Sequence, residues 1–169
     1  HTYAALDLGT NNCRLLVARP SRNGFKVVDS FSRTVRLGEG VSASGQLSET
    51  AMERALAALH ICASKMQRQQ VTKSRCVATA ACRQAKNGDK FLARVGLETG
   101  IELETIDAAE EARLAMTGCA PLLDLKCQNA MVFDIGGGST EVMWLRCREK
   151  LAPELLAWTS IPYGVVTLA

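Results

Sequence analysis

Phe133-Asp134-Ile135-Gly136-Gly137-Gly138-Ser139-Thr140-Glu141 decides how this sequence is read, because its outline occurs twice. Laid over Leu6-Asp7-Leu8-Gly9-Thr10-Asn11-Asn12-Cys13-Arg14, an offset of 134 − 7 = 127 residues, it repeats apolar, Asp, apolar, Gly and a small polar turn. The match runs on without a gap, so that Leu15, Leu16 and Val17 fall on Val142, Met143 and Trp144. Each copy reads strand, turn, strand. Two hairpins of one design therefore begin two parts of the chain.

Such a hairpin suits phosphate. Gly9 and Gly136 to Gly138 lack a Cβ, so backbone N–H groups can approach an anion closely. Thr10, Ser139 and Thr140 add hydroxyl donors, and Asn11 and Asn12 add amides. Asp7 and Asp134 end their strands, where a carboxylate can hold Mg²⁺ or its waters against phosphate. A carboxylate aimed directly at phosphate would repel it, so a cation between the two is expected. Taken singly, a Gly triplet is a flexible turn and D-x-G is commonplace. The in-register pair shifts the balance to a phosphate clamp. Neither hairpin carries the G-x-x-x-x-G-K-[ST] of a P-loop or a G-x-G-x-x-G dinucleotide fingerprint.

Outward from the hairpins, Tyr3 to Leu6, Arg14 to Ala18 and Phe25 to Val35 read as strands, with Pro20 to Gly24 a turn built on Asn23-Gly24. A Gly-rich loop over 38–45 leads to a helix with Ser48 as N-cap, Glu49 in its first turn, and Leu47 placed to staple onto Met52. Its apolar stripe is Met52, Leu56, Leu59, Ala63 and Met66. Val77 to Thr79 reads as a strand, and Lys90 to Glu98 as a helix closed by Gly100. Glu102 to Ile106 is another expected strand, and Asp107 to Gly118 a helix with Ala109, Ala112, Leu114 and Met116 inward. Pro121 marks a linker. Strands follow over 130–133, 141–145 and 155–160. This order predicts an α/β layer architecture.

Composition narrows the function classes. The chain has 169 residues, 47% apolar and 22% charged, with net charge +3 and both signs interspersed. No basic stripe marks nucleic-acid binding, the Lys65 to Arg75 stretch reading as a solvated helix end. Seven scattered cysteines form no CxxC pair, and two histidines supply no zinc spacing. An odd count without framework spacing argues for reduced thiols in a cytoplasmic protein. No apolar run approaches the roughly 20 residues of a membrane helix, and no signal peptide opens the chain.

Paired D-x-G-[TS] and D-x-G-G-G-S-T hairpins resemble those of the actin, sugar-kinase and chaperone-ATPase superfamily. In detail the chain resembles the Ppx/GppA phosphatases, the bacterial exopolyphosphatases and guanosine pentaphosphate phosphohydrolases. The resemblance runs through Asp7-Leu8-Gly9-Thr10-Asn11, Ala78-Thr79-Ala80-Ala81-Cys82-Arg83, Glu110-Glu111-Ala112-Arg113-Leu114, the 134–141 string and Ile161-Pro162-Tyr163-Gly164. It implies a ribonuclease H-like/actin-like ATPase fold, a mixed sheet flanked by helices. Residues 1–124 would be the N-terminal lobe, and 125–169 the incomplete start of a second.

By the same resemblance Glu111 is the catalytic carboxylate that orients and deprotonates the attacking water. Asp7, Asp134 and Glu141 would hold Mg²⁺. Gly9, Thr10, Asn11, Asn12, Arg83, Gly136, Gly137, Gly138, Ser139 and Thr140 would bind substrate phosphate. The ligand would be polyphosphate or guanosine penta- or tetraphosphate, with neither nucleic acid nor membrane as partner, and the full-length protein a homodimer. Local physics alone places Glu110 and Glu111 at a helix start before it places them in catalysis. It leaves Arg83 equally a surface arginine, Glu141 an outward strand residue, and Arg14 and Arg113 members of solvated ion pairs. The first turn departs from the family's D-x-G-S-N-S: Thr10 keeps the hydroxyl, whereas Asn12 stands for a serine. With the second lobe incomplete, the chain by itself is expected to be weakly active or inactive and to self-associate. Two other functions stay open, a small-molecule kinase of the same superfamily and a phosphate- or alarmone-binding module without catalysis.

Overall fold

The computed structural model describes residues 1–169 except Asn23, Leu125, Glu149, Lys150, Leu151 and Ala169. Packing divides the chain into two compact units, His1–Ile106 and Asp107–Ala169. The division falls ahead of the boundary expected at 124/125, because the helix that opens at Ala108 packs on the second sheet rather than the first.

In the first unit, strands β1 (Tyr3–Leu8), β2 (Asn12–Ser21), β3 (Gly24–Thr34), β4 (Lys73–Ala78) and β5 (Glu104–Thr105) form one sheet in the order β3-β2-β1-β4-β5. The first three pair antiparallel, while β4 lies parallel to β1 and to β5. Strand alternation sends Leu6, Leu8, Cys13, Leu15 and Val17 into the core and leaves Asp7, Arg14 and Leu16 on the other face. Helices α1 (Val41–Ser44), α2 (Glu49–Arg68), α3 (Ala80–Gln84) and α4 (Gly88–Thr99) complete the unit. Ser48 caps α2 by accepting from the Ala51 N–H at 3.2 Å, and Gly100 closes α4 at φ +70°. The stripe of α2 is rotated from the expected one. Leu56 and Leu59 are buried as expected, but Ala51, Ala55, Ala58 and Cys62 share that line with them, and Met52, Ala63 and Met66 lie at its edge.

Strand β2 runs through the expected turn at Pro20, which pairs with Phe25. The ring is tolerated because β1 pairs β2 only as far as Ala18, so the missing N–H breaks no ladder bond. Asn23, half of the expected Asn-Gly turn, lies outside the described residues. Strand β5 is two residues long instead of five, and α3, carried by the Ala80-Ala81-Cys82-Arg83 segment, has no counterpart among the expected elements.

The second unit holds α5 (Ala108–Cys119), a 3₁₀ turn at Ala120–Leu122 that takes in Pro121, and an antiparallel sheet of β6 (Asn129–Ile135), β7 (Thr140–Arg146) and β8 (Glu154–Ile161). Ala112 buries against Met143 and Leu145, with Ala115, Met116, Val132 and Leu155 around them. Ala109 is exposed rather than inward, since the apolar contacts of α5 begin a turn later, at Ala112.

The repeat holds at the level of individual strand pairs. Leu8 faces Cys13, Asp7 faces Arg14 and Leu6 faces Leu15; 127 residues on, Ile135 faces Thr140, Asp134 faces Glu141 and Phe133 faces Val142. It also extends to a third strand that pattern matching did not reach. Cys13 pairs with Arg33 and Thr140 with Ile161, an offset of 161 − 33 = 128. Both third strands carry a bulge at the same place, opposite Val17/Ala18 and opposite Trp144/Leu145, with Val28 and Leu156 as the extra residues. The bulge is shared, and the third strand escapes an ungapped comparison because the connection from Arg146 to Glu154 is one residue longer than that from Arg19 to Lys26.

Candidate functional site

The expected site residues fall in both units. Asp7, Gly9, Thr10, Asn11, Asn12 and Arg83 belong to the first, and Glu111, Asp134, Gly136, Gly137, Gly138, Ser139, Thr140 and Glu141 to the second.

In the first unit, the turn between β1 and β2 is closed by the Gly9 N–H, which donates to the Asn12 carbonyl at 2.9 Å. The segment after β3 then ties the turn down from one side. The Gly38 N–H donates to the Thr10 carbonyl at 2.9 Å, and Val35 and Arg36 both donate to the Asn11 carbonyl, at 2.8 and 3.0 Å. In a trans peptide the carbonyl and the following N–H point in opposite directions. With the Thr10 and Asn11 carbonyls turned toward the return segment, the N–H groups of Asn11 and Asn12 face away from it. Asn12 Oδ1 accepts from Thr34 Oγ1 at 3.0 Å, leaving its NH₂ as the donor end. Thr10 is buried, with its methyl group toward Gly38.

The second turn is tied down in the same manner, one repeat position earlier. The Gly136 N–H donates to the Ser139 carbonyl at 2.9 Å, and Val165 and Val166 donate to the Gly136 and Gly137 carbonyls at 3.0 and 2.9 Å. The N–H groups of Gly137 and Gly138 consequently face away from the return segment. Ser139 is buried. Thr140 Oγ1 donates to the Tyr163 carbonyl at 2.8 Å, so its single hydroxyl hydrogen is engaged within the protein.

The flanking carboxylates differ between the copies. Asp134 stands directly opposite Glu141 on β7, and Glu141 stands opposite Ser160 on β8. Cross-strand partners share a face of the sheet, which brings both carboxylates and the serine into one row. Glu141 is only 1% exposed, and Ser160 Oγ donates to its Oε1 at 2.8 Å. It is an inward residue rather than the outward one that local physics allowed. An ionised carboxylate so deeply placed needs donors or a cation, and two carboxylates suffice for Mg²⁺, which keeps several waters and takes phosphate oxygens as ligands. Asp134 and Glu141 thus fit the metal. Asp7 faces Arg14 instead of a second acid. Among the described residues no group of three or more His, Cys, Asp or Glu side chains forms a ready-made metal site.

Arg83, half-buried on α3, donates from Nη1 to the Ile106 carbonyl at 2.6 Å. Asp107 caps α5, its Oδ1 accepting from the Glu110 N–H at 2.8 Å, and Glu110 binds Arg113 through two bonds of 2.6 and 2.8 Å. Of the paired acids, Glu110 is therefore built into the helix start, while Glu111 lies half-buried beside Ala112 on the same turn. Arg113 is the solvated pair that was expected. Cys13, immediately after the first turn, is no nucleophile: it is fully buried, and its hydrogen bond with Cys62, together with burial, raises its thiol far above the usual range. Sequence reasoning missed Ser160 and the return segments, since only the strand pairing places them beside the turns.

Comparison with known proteins gives a consistent picture. The sequence profile of the Ppx/GppA phosphatase family matches residues 16–169. An exopolyphosphatase from Cytophaga hutchinsonii is 27% identical with a TM-score of 0.91, over 99% of this chain and 52% of its own. The Aquifex aeolicus Ppx/GppA family member is 30% identical with a TM-score of 0.79, over 99% of this chain and 53% of its own. An exopolyphosphatase-like protein is 31% identical with a TM-score of 0.89, over 99% of this chain and 52% of its own. The chain thus spans about half the length of the solved structures it matches. Its mixed α/β architecture is the actin-like ATPase fold of these proteins, and the chain belongs to the Ppx/GppA phosphatase family.

Proposed function

We propose that the full-length protein is a phosphohydrolase that releases terminal phosphate from inorganic polyphosphate or from guanosine pentaphosphate. The observation that carries this reading is the duplicated turn, with its carbonyls tied back and its N–H groups of Asn11, Asn12, Gly137 and Gly138 left to face an anion. Gly9, Thr10, Asn11 and Asn12 bind phosphate in the first unit, and Gly136, Gly137, Gly138 and Ser139 in the second, where Thr140 ties the turn to its return segment. Arg83 neutralises phosphate charge. Glu111 orients the attacking water and takes its proton. Asp134 and Glu141 would hold Mg²⁺, as Asp7 would at the matching place in the first turn, and the ion would supply charge neutralisation at the phosphate oxygens. Phosphoryl transfer asks a protein mainly for positioning and charge stabilisation, which this set provides.

The ligand is polyphosphate or guanosine penta- or tetraphosphate, and the working form is a cytoplasmic homodimer. No described helix is long and apolar enough to cross a membrane. A substrate panel on the full-length protein tests the reading: phosphate release from polyphosphate and from guanosine pentaphosphate, with and without Mg²⁺ and with no acceptor present. Release without an acceptor supports the hydrolase and excludes the kinase. Tight binding without release would replace the hydrolase with a sensor. The 169-residue chain alone is expected to turn over either substrate weakly or not at all.

A further inference from the structure

We infer that Gly164 is a positioning residue whose segment, Pro162 to Val166, holds the second turn in its anion-facing geometry. This rests on the phosphohydrolase reading. A Cβ on Gly164 would lie 2.4 Å from the Gly136 carbonyl oxygen and 2.6 Å from the Gly137 carbonyl carbon, closer than real Cβ atoms approach backbone. The bare Cα therefore sets how near the segment can stand to the turn. From that position Val165 and Val166 donate to the Gly136 and Gly137 carbonyls at 3.0 and 2.9 Å. Two further bonds fix the segment. Thr140 Oγ1 donates to the Tyr163 carbonyl at 2.8 Å, and the Gly164 N–H donates to Thr167 Oγ1 at 2.7 Å.

Three glycines in a row would otherwise leave the turn the most pliable stretch of the unit. Holding the 136 and 137 carbonyls fixes two peptide planes, and with them the directions of the Gly137 and Gly138 N–H groups. The first unit meets the same requirement with Gly38, where a Cβ would lie 2.2 Å from Thr10 Cγ2 and the N–H holds the Thr10 carbonyl. In each copy a glycine after the third strand is pressed against the turn.

The test uses the full-length chain carrying Glu111→Gln, so that ligand is not consumed, titrated with inorganic tripolyphosphate in Mg²⁺ by calorimetry. Gly164→Ala is expected to weaken binding about tenfold or more, the loss that follows when hydrogen bonds to a charged group are misaligned. Thr140→Val removes the tether without adding a clash and is expected to weaken binding by a smaller factor, which Thr140→Ser restores. In the ligand-free protein the amide resonances of Gly137 and Gly138 should shift in Thr140→Val and return in Thr140→Ser. That readout separates the tether from any direct contact of Thr140 with phosphate. A folded Gly164→Ala protein that binds like its parent overturns the inference, and so do amide resonances that stay put in Thr140→Val. If the parent itself fails to bind tripolyphosphate, the phosphohydrolase reading falls, and the resonances alone decide the inference.

Discussion

Glu111 and Glu141 are two acids of one unit set in different surroundings, half-buried on a helix and fully buried on a strand. Glu111→Gln in the full-length protein is expected to lower kcat by about 10²–10⁴-fold, the usual worth of a general base, with KM little changed; steady-state phosphate release checks it. Glu141 is buried, and Ser160 Oγ donates to it. Ser160→Ala should therefore cost about 1–3 kcal/mol of stability by denaturant unfolding, the price of a buried acceptor left short. The sequence made the glycines and hydroxyls of the turns visible because their chemistry is local. Ser160 was invisible for the opposite reason, since its link to Glu141 exists only once β8 is paired in register. Glu110 and Glu111 sit side by side in sequence, and the pairing of Glu110 with Arg113 is seen only in the structure.

Among the elements, helix α2 was legible from its cap and its stripe, while its rotation was not. Periodicity marks a face but not which line of that face sinks deepest; here alanines allow a close approach that Met52 and Met66 would block. Strand β5 was placed but drawn too long, and α3 escaped, each being too brief to show a period. Helix α2 is also tied to β3 by Lys65 Nζ, which donates to Asp29 Oδ1 at 2.6 Å. That bond holds the Asp29 carboxyl below its usual range. A depressed folded-state pKa contributes stability above the unfolded value of about 3.9 and loses it as pH falls. Between about pH 5 and pH 3 the urea midpoint should therefore drop more steeply for the parent than for Asp29→Asn. Phe91 of α4 is 1% exposed in the same core, and Phe91→Ala should cost about 3–5 kcal/mol by the same measurement.

Over the whole molecule, apolar side chains divide into covered and uncovered sets. The outer face of the second sheet carries Met131, Phe133, Ile135 and Trp144, exposed by 48, 58, 63 and 43%. A patch of that kind drives association, so the 169-residue chain on its own should sediment above monomer mass, and Phe133→Lys with Ile135→Lys should return it toward the monomer. The thiols divide similarly. Cys127 is exposed, whereas Cys13, Cys62, Cys76, Cys82 and Cys147 are buried, and burial pushes Cys82 up to about 12. A thiol reagent near pH 8 should label Cys127 quickly and those five only after unfolding.

The reversal of charge at one repeat position, Arg14 opposite Asp7 but Glu141 opposite Asp134, shows how far a shared backbone plan leaves chemistry free. An acid whose cross-strand neighbour is basic has its charge offset locally, whereas an acid facing another acid makes a site that favours a divalent cation. One hairpin design can thus carry two electrostatic characters, set by a single side chain.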